Sequence, residues 1–566
     1  MSYLQQRYPD FANPELLEKI PLAASTILDV GCGQGALGAT YLRRNPRALV
    51  LGIERDEAAA SVARQRLRDV YCGDVEATPM PFDLPDGIDC IIYGDVLEHL
   101  VDPWRLLVEH AKYLAPQGTM LVCMPNVEHW SLTARLLGGQ FDYETQGLLD
   151  RAHLRWFTPR MMGQALTAAG LELADVTPRP TETAEARRFV AALTPGLRAL
   201  GLDPEEYFRR AAPLQFIWRA RRAAPARLEV NATMLAPLGG VSDVRVTLPL
   251  RALRSDSATY TLIQEEAELT PQLADAPRIA VLHRPLLLGE SGLARLRALL
   301  RQDYVVVTEF DDHPLFMRER GVDLDALLTF RAVHAVQTST PALAEILRPQ
   351  NPELGMFPNA MFELPLTRNF RTPDHMTLFF GALNRGADWA PLMPVLNEVA
   401  GTVGARLQFH VLYDEAFFLA LDTPHKKFDP MTDYAGYLRM LGAAEIAFMP
   451  LADTPFNHAK SDLKFIEAAA ARVSALASDV VYAGSIRDGQ TGVIFRDAAE
   501  LRAGLLALLA DPQATREIAE AARLYVAEER MLAYQVKART AWYRSLWERR
   551  DALNAALRAR VPAVFE

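Results

Sequence analysis

Three alternate glycines, Gly31, Gly33 and Gly35, follow directly on four residues of strand character at 27–30 and lead into a helix-like segment. A side chain at these positions would keep the backbone from touching a ligand, so the turn suits close contact with a nucleotide-like group. A tight strand-to-helix turn that binds nothing is the plainer alternative, and the ends of the next strands decide between the two. The second run, 48–53, ends in Glu54, where a carboxylate can accept both ribose hydroxyls of a nucleoside. The third, 70–73, ends in Asp74, which can take an adenine amino group while Val75 packs on the ring. The fourth, 90–93, runs into Gly94 and then Asp95-Val-Leu-Glu-His-Leu.

A second set of chemical groups stands at 455–467, reading Pro-Phe-Asn-His-Ala-Lys460-Ser461-Asp-Leu-Lys464-Phe-Ile-Glu467. If a helix starts near Ser461, its free N–H groups, Lys460 and Lys464 gather positive charge where a diphosphate would be stabilised. Glu467, one turn beyond Lys464, can accept ribose hydroxyl protons. A capped helix with solvated lysines and a structural glutamate is the alternative. Asp311-Asp312 reads poorly as a metal site, because two adjacent carboxylates without further ligands hold a hard cation weakly. His313, His334 and His458 suit hydrogen-bonded structural roles, and no metal site is expected.

Positioning these groups takes alternating strands and helices. The alternation continues to a fifth strand at 118–124, then strands at 171–176 and 214–219 with a helical insertion at 182–212 between them. Thr158-Pro159 reads as the cap and first residue of a helix ending near Gly170. After a short linker, 222–226, the pattern restarts with strands at 228–234, 260–263, 278–282, 304–308, 335–338 and 355–358. It restarts again after Thr372-Pro373, with strands at 376–380, 407–412, 446–449, 473–477 and 493–495 followed by helices. Two successive open α/β units point to a cleft between them.

A chain of 566 residues needs more than one core. Its net charge of −10 argues against a generic nucleic-acid binder. The four cysteines, Cys32, Cys72, Cys90 and Cys123, each lie in or beside a buried-strand pattern, as core residues of a reduced protein do. No apolar signal core and no run of about 18 apolar residues occurs, so a cytoplasmic location is expected.

Asp29-Val-Gly31-Cys-Gly33, Glu54, Asp74 and Asp95-Val-Leu-Glu-His-Leu, in this order across 20–175, resemble the class I S-adenosylmethionine-dependent methyltransferases. The resemblance implies a Rossmann-like domain over 1–223, with S-adenosylmethionine contacts from Asp29, Gly31, Gly33, Gly35, Glu54, Asp74, Val75 and Asp95. The run Asp150-Arg-Ala-His153-Leu-Arg-Trp-Phe-Thr-Pro is similar to a subgroup of small-molecule O-methyltransferases. His153, in the loop after the fifth strand, is then the candidate base for the acceptor, with a loop-to-helix hydrogen bond as the alternative.

Residues 227–545 resemble the GT-B-fold glycosyltransferases, in the broad retaining (group 1-like) set. The 455–467 segment and Asp488-Gly-Gln-Thr-Gly492 carry most of the likeness. Gly239-Gly240, Phe310-Asp-Asp, Ser339-Thr-Pro-Ala-Leu, Pro358-Asn-Ala and Phe380-Gly-Ala-Leu-Asn-Arg385 support it. This resemblance implies an α/β acceptor domain at 227–373 and a nucleotide-sugar domain at 374–566, both Rossmann-like, the latter with C-terminal helices. It also implies donor contacts from Gly240, Arg385, Lys460, Ser461, Lys464 and Glu467, with Lys460 catalytic. Two departures stand out: Ala459 replaces an acidic residue eight positions before the family's ribose glutamate, and Arg472-Val-Ser replaces Gly-x-Pro.

Together the resemblances imply a bifunctional methyl- and glycosyltransferase of bacterial-type surface polysaccharide assembly. Its partners would be a nucleotide sugar and a glycan or glycolipid acceptor, with peripheral membrane association compatible and no nucleic acid. The alternative is a methyltransferase fused to an inactive glycosyltransferase-like binding or scaffold module, which Ala459 favours.

Overall fold

The computed structural model describes residues 10–179, 184–223, 227–234, 240–264, 269–319, 321–367 and 375–566. Gly239, linker residues 224–226 and Thr372-Pro373 lie outside the described residues. The chain divides into two units, the first comprising Met1–Leu42, Arg47–Arg227 and Ser255–Ala258, the second Arg43–Pro46, Leu228–Arg254 and Thr259–Glu566.

Seven strands build the sheet of the first unit: β1 (Thr26–Val30), β2 (Leu49–Glu54), β3 (Asp69–Cys72), β4 (Ile88–Gly94), β5 (Leu114–Pro125), β6 (Glu172–Arg179) and β7 (Gln215–Arg221). Their order is β3-β2-β1-β4-β5-β7-β6. Only β7 runs against its neighbours. Helices Pro103–Ala111 and Pro159–Ala168 pack on one face, and Pro14–Lys19, Ala36–Leu42 and Glu57–Ala63 on the other. Both faces are therefore covered, which is why β1 and β4 are buried at nearly every position and not at alternate ones. Cys32, Cys90 and Cys123 are buried free thiols in these cores. Thr158 caps its helix as the sequence suggests, its hydroxyl accepting from the Met161 amide at 3.1 Å. The insertion before β7 consists of helices Ala184–Ala199 and Pro204–Ala211.

Strand order reverses at β1, with β2 on one side and β4 on the other. In an open parallel sheet the crevice for a ligand lies at such a switch point, outside the C-terminal strand ends. Gly31, Glu54, Asp74 and Asp95 all stand just at or beyond those ends.

The second unit holds two all-parallel six-stranded sheets. One contains β8 (Leu228–Thr233), β9 (Thr259–Gln264), β10 (Arg278–His283), β11 (Val305–Glu309), β12 (Ala335–Thr338) and β13 (Leu354–Met356), ordered β13-β12-β11-β10-β8-β9. The other contains β14 (Met376–Gly381), β15 (Leu407–Leu412), β16 (Lys426–Asp429), β17 (Ile446–Met449), β18 (Ser474–Ser478) and β19 (Val493–Phe495), ordered β16-β15-β14-β17-β18-β19. The fold class is thus α/β, with three Rossmann-like, mostly parallel sheets. After the second of these sheets the chain returns to the first: Leu557 and Val564 join Leu282, Val306 and Val336 in its core. Tyr543 donates to Gln337 Oε1 at 2.7 Å in the same region.

One strand has no counterpart in the sequence reading. Lys426-Lys-Phe-Asp429 lies at the edge of its sheet, where charged residues are tolerated and guard against pairing with another chain. Its polar composition therefore hides it.

Candidate functional site

In the first unit, β1 delivers the glycine turn and β2 delivers its carboxylate partner. The amides of Gly31 and Cys32 donate to the Ile53 carbonyl at 2.7 and 3.2 Å, which folds the turn over the end of β2. Gly31 has φ +70°, and a Cβ there would lie 2.3 Å from a Val96 methyl, so neither the backbone nor the space admits a side chain. Glu54 is buried, with Oε2 accepting from the Gly33 amide and Oε1 from the Asp56 amide, both at 2.9 Å. These bonds aim the carboxylate at the glycine turn. Asp29 is buried beneath it, and burial together with the Glu54 charge raises its carboxyl to about 7.

Asp74 is exposed after β3, its Oδ1 taking the Glu76 amide at 2.9 Å, and Val75 packs on the apolar core beside it. Asp95 stands after β4 at φ +57°, a conformation that aspartate adopts at little cost. Gln215 donates to its Oδ1 at 2.6 Å. A glycine turn with a buried carboxylate behind it and an exposed one beside it fits a nucleoside-bearing cofactor: backbone amides for one end, acceptors for ribose hydroxyls and a base.

His153 is buried, its Nδ1 3.2 Å from the Leu148 carbonyl, and its ring meets His99 edge-on at 4.9 Å between centroids. Glu98 lies beside them: one ligand atom from each of Glu98, His99 and His153 falls within 4.8 Å of the other two. The carbonyl of Glu98 receives the amides of Leu154 and Arg155 at 2.7 and 3.0 Å, which fastens the His153 loop to the single turn Leu97–His99. This trio was not assembled from the sequence. The signal was the Glu98-His99 pair next to Asp95, with a histidine far along the chain.

In the second unit, Arg385 follows the C-terminal end of β14, Lys460, Ser461, Lys464 and Glu467 follow that of β17, and Gly240 follows β8 of the other sheet. Arg385 donates from one guanidinium nitrogen to Asp388 Oδ2 and Asn457 Oδ1 at 3.1 and 3.0 Å. Lys460 reaches Asp312 Oδ1 at 2.5 Å, and its ammonium lies 4.4 Å from the centre of the Phe456 ring. Burial lowers its pKa, and the opposing Asp312 charge works against that. Asp311 is paired to Arg284 at 2.6 Å, so Asp311 and Asp312 each face a cation and do not make an open oxygen cage. Ser461 Oγ accepts from Asn359 at 2.8 Å.

The helix itself is Leu463–Ala470, two residues later than Ser461, and no side chain caps its N-terminus. Asp462 at that end is committed to Arg530 instead, at 2.5 and 2.8 Å. Lys464 lies with its ammonium 4.9 Å from the Tyr437 ring centre. Glu467 is only 2% exposed; Tyr434 and Tyr437 donate to its two oxygens at 2.9 Å each. Burial raises its carboxyl, against the pull of Lys464 and the two hydroxyls. These tyrosines were not read from the sequence. Ala459 is buried, its carbonyl accepting from Thr340 Oγ1 at 3.2 Å. Gly240 has φ +77° and its amide donates to Asp243 at 3.1 Å.

Comparison with known proteins matches residues 2–176 to the family model described as a methyltransferase domain. The ubiquinone biosynthesis O-methyltransferase of Pseudomonas entomophila (strain L48) is 26% identical over 163 residues, 28% of this chain and 69% of that protein. The enzyme of the same name from Coxiella burnetii (strain RSA 331 / Henzerling II) is 26% identical over 166 residues, with the same coverages. Among solved structures, a point mutant of S. aureus TarM in complex with Fondaparinux, alpha-GlcNAc-glycerol and UDP aligns at 11% identity. Its TM-score is 0.36, over 47% of this chain and 55% of that one. The N-terminal region of the chain is thus matched, by family model and by relatives, to a methyltransferase domain.

Proposed function

We propose that the first unit is an S-adenosylmethionine-dependent O-methyltransferase and that the second is a nucleotide-sugar-dependent glycosyltransferase, serving surface-glycan assembly from the cytoplasm. The observation that carries the first half is the Glu54 carboxylate bonded to the Gly33 amide at the switch point of a sheet whose residues match a methyltransferase domain. S-adenosylmethionine supplies an electrophilic methyl group on its sulfonium. The chain's part is to hold the nucleoside through Glu54, Asp74 and Val75 on the glycine turn, and to present an acceptor oxygen from the side where His153 stands.

The test is calorimetry with S-adenosylhomocysteine. Glu54→Ala should weaken binding by about 2 kcal/mol, the scale of hydrogen bonds lost to a charged group. Unchanged affinity would remove the ribose assignment.

For the second unit, the support is the group of Arg385, Lys460, Ser461 and Lys464 near one helix N-terminus, a suitable cradle for a diphosphate. Two observations favour a second reading, in which this unit binds without catalysing transfer: Ala459 stands where an acid is usual, and both Glu467 oxygens are taken by tyrosines. Slow release of free sugar from a panel of nucleotide sugars separates the two, since a binding module stabilised by its ligand would shift in melting temperature yet leave the donor intact.

A further inference from the structure

We infer that Tyr434 and Tyr437 hold the ribose end of the donor pocket of the second unit shut, their phenols standing on Glu467 where the two ribose hydroxyls of a nucleoside diphosphate would bind. Helix Tyr434–Leu441, which carries both, must then swing aside before a nucleotide seats. The inference rests on the donor-site reading above and adds a gate to it. Each phenol donates to a different oxygen of the carboxylate at 2.9 Å. A carboxylate that recognises a ribose is used in the same way, taking both hydroxyls. Glu467 is only 2% exposed, which leaves no room for a second pair of donors, so the two arrangements exclude each other.

Helical spacing makes the pairing possible. Tyr434 and Tyr437 share one helix face, with their rings tilted only 14° from parallel and their centroids 6.2 Å apart. Burial and the Glu467 charge push both phenols well up, so each keeps the proton it donates. The same two rings cover other residues of the pocket. A Cβ at Gly240 would stand 3.5 Å from Tyr434 Cδ2, and the Lys464 ammonium lies 4.9 Å from the Tyr437 ring centre, a cation–π contact that a diphosphate would have to replace. One short helix thus meets Gly240, Lys464 and Glu467, half of the residues assigned to the donor.

That helix is lightly held. It is eight residues long, its large buried side chains are Tyr437 and Leu441, and Met431 in the approach to it is 80% exposed. Few buried apolar contacts make an element of low local stability. Asp433 caps it, accepting from the Gly436 amide at 2.7 Å, so the helix can move as a unit. A closed pocket lowers the apparent affinity by the fraction of chains that are open. The phenols therefore offset part of what a ribose gains at Glu467, and Glu467→Ala costs less affinity in the parent than in a chain without them.

The experiment is calorimetry and stopped-flow on the full chain with UDP, CDP and GDP. Tyr434→Phe and Tyr437→Phe should each tighten binding of the recognised nucleotide by ~3-fold, and both together by ~10-fold, as the open fraction rises. Glu467→Ala should then cost ~10-fold more affinity in the doubly substituted chain than in the parent, a coupling that general loosening of the fold would not produce. Tyr207→Phe, whose phenol bonds Thr133 of the first unit at 3.2 Å, should change nothing. In the parent the association rate should level off at high nucleotide, because opening precedes binding. Nucleotide binding by the parent with no gain in the folded tyrosine variants, or with no coupling to Glu467, overturns the gate and leaves the donor site standing. A parent association rate that stays linear does the same, and decides the matter if the variants do not fold. No binding of any of the three nucleotides by parent or variants overturns the donor site and the gate together.

Discussion

Lys460→Ala is expected to lower sugar transfer by roughly 10²–10³-fold, the usual cost of removing a fixed charge that meets developing charge in the transition state. On the proposed reading of the second unit, the departing nucleoside diphosphate would gain negative charge as the glycosidic bond breaks, and Lys460 would be the ammonium that meets it. It is half-buried, packed on Phe456 and steadied by Asp312 at 2.5 Å, so little reorganisation is needed when the charge forms. Asp312 has a second cation, Arg284, at 3.7 Å, and can release the lysine toward a more highly charged diphosphate. If Glu467 holds the donor ribose as proposed, Glu467→Ala should act differently, weakening nucleotide binding with a smaller change in turnover, because such a contact would be made equally in ground and transition states. Neither change should alter S-adenosylhomocysteine affinity. The measurement is kcat and KM for a donor chosen from the thermal-shift panel; transfer by Lys460→Ala at the parent rate would refute the donor-site assignment.

The largest effect on stability is expected at Arg245. Its guanidinium is 3% exposed and bonds Glu309 at 2.8 and 3.2 Å, the Phe357 carbonyl at 2.8 Å and Asn359 at 2.8 Å. Glu309 is fully buried and also takes Gln337 at 2.6 Å, which in turn accepts from Tyr543. Arg245→Met should cost about 3–5 kcal/mol, because it strands a buried carboxylate. The double change Arg245→Met with Glu309→Leu should recover much of that, since the desolvation cost disappears with both charges. Urea unfolding of the full chain, following the transition of the second unit, checks both. A single variant within about 1 kcal/mol of the parent, or a double variant no better than the single, would show that the pair is not sustained by its burial.

Much of this architecture could be read before any coordinates. A parallel strand covered on both faces must be apolar at nearly every position, so β1, β2, β4 and most strands of the second unit stand out as continuous runs. The glycine turn is equally local, since the left-handed backbone at Gly31 is a demand on that residue itself. The carboxylates at strand ends follow from the same logic: once the strands are placed, the residue after each one is placed too.

What could not be read depends on groups far apart in the chain. Lys460 and Asp312 are 148 residues apart, and Glu467 meets Tyr434 and Tyr437 only because two helices pack side by side. Glu467 reads as a ribose acceptor from its spacing to Lys464, yet its burial under two hydroxyls is a property of that packing. Likewise Glu98 and His99 lie in a recognisable motif, but their convergence with His153 requires the loop after β5 to fold back on the turn after β4. By itself the sequence determined the three α/β sheets and which glycines and carboxylates stand at their strand ends, because burial periodicity and backbone strain act between neighbours along the chain. Only the tertiary structure decided which side chains share a charge, a proton or a ligand position, because those interactions fall off within a few ångströms and depend on how distant elements pack.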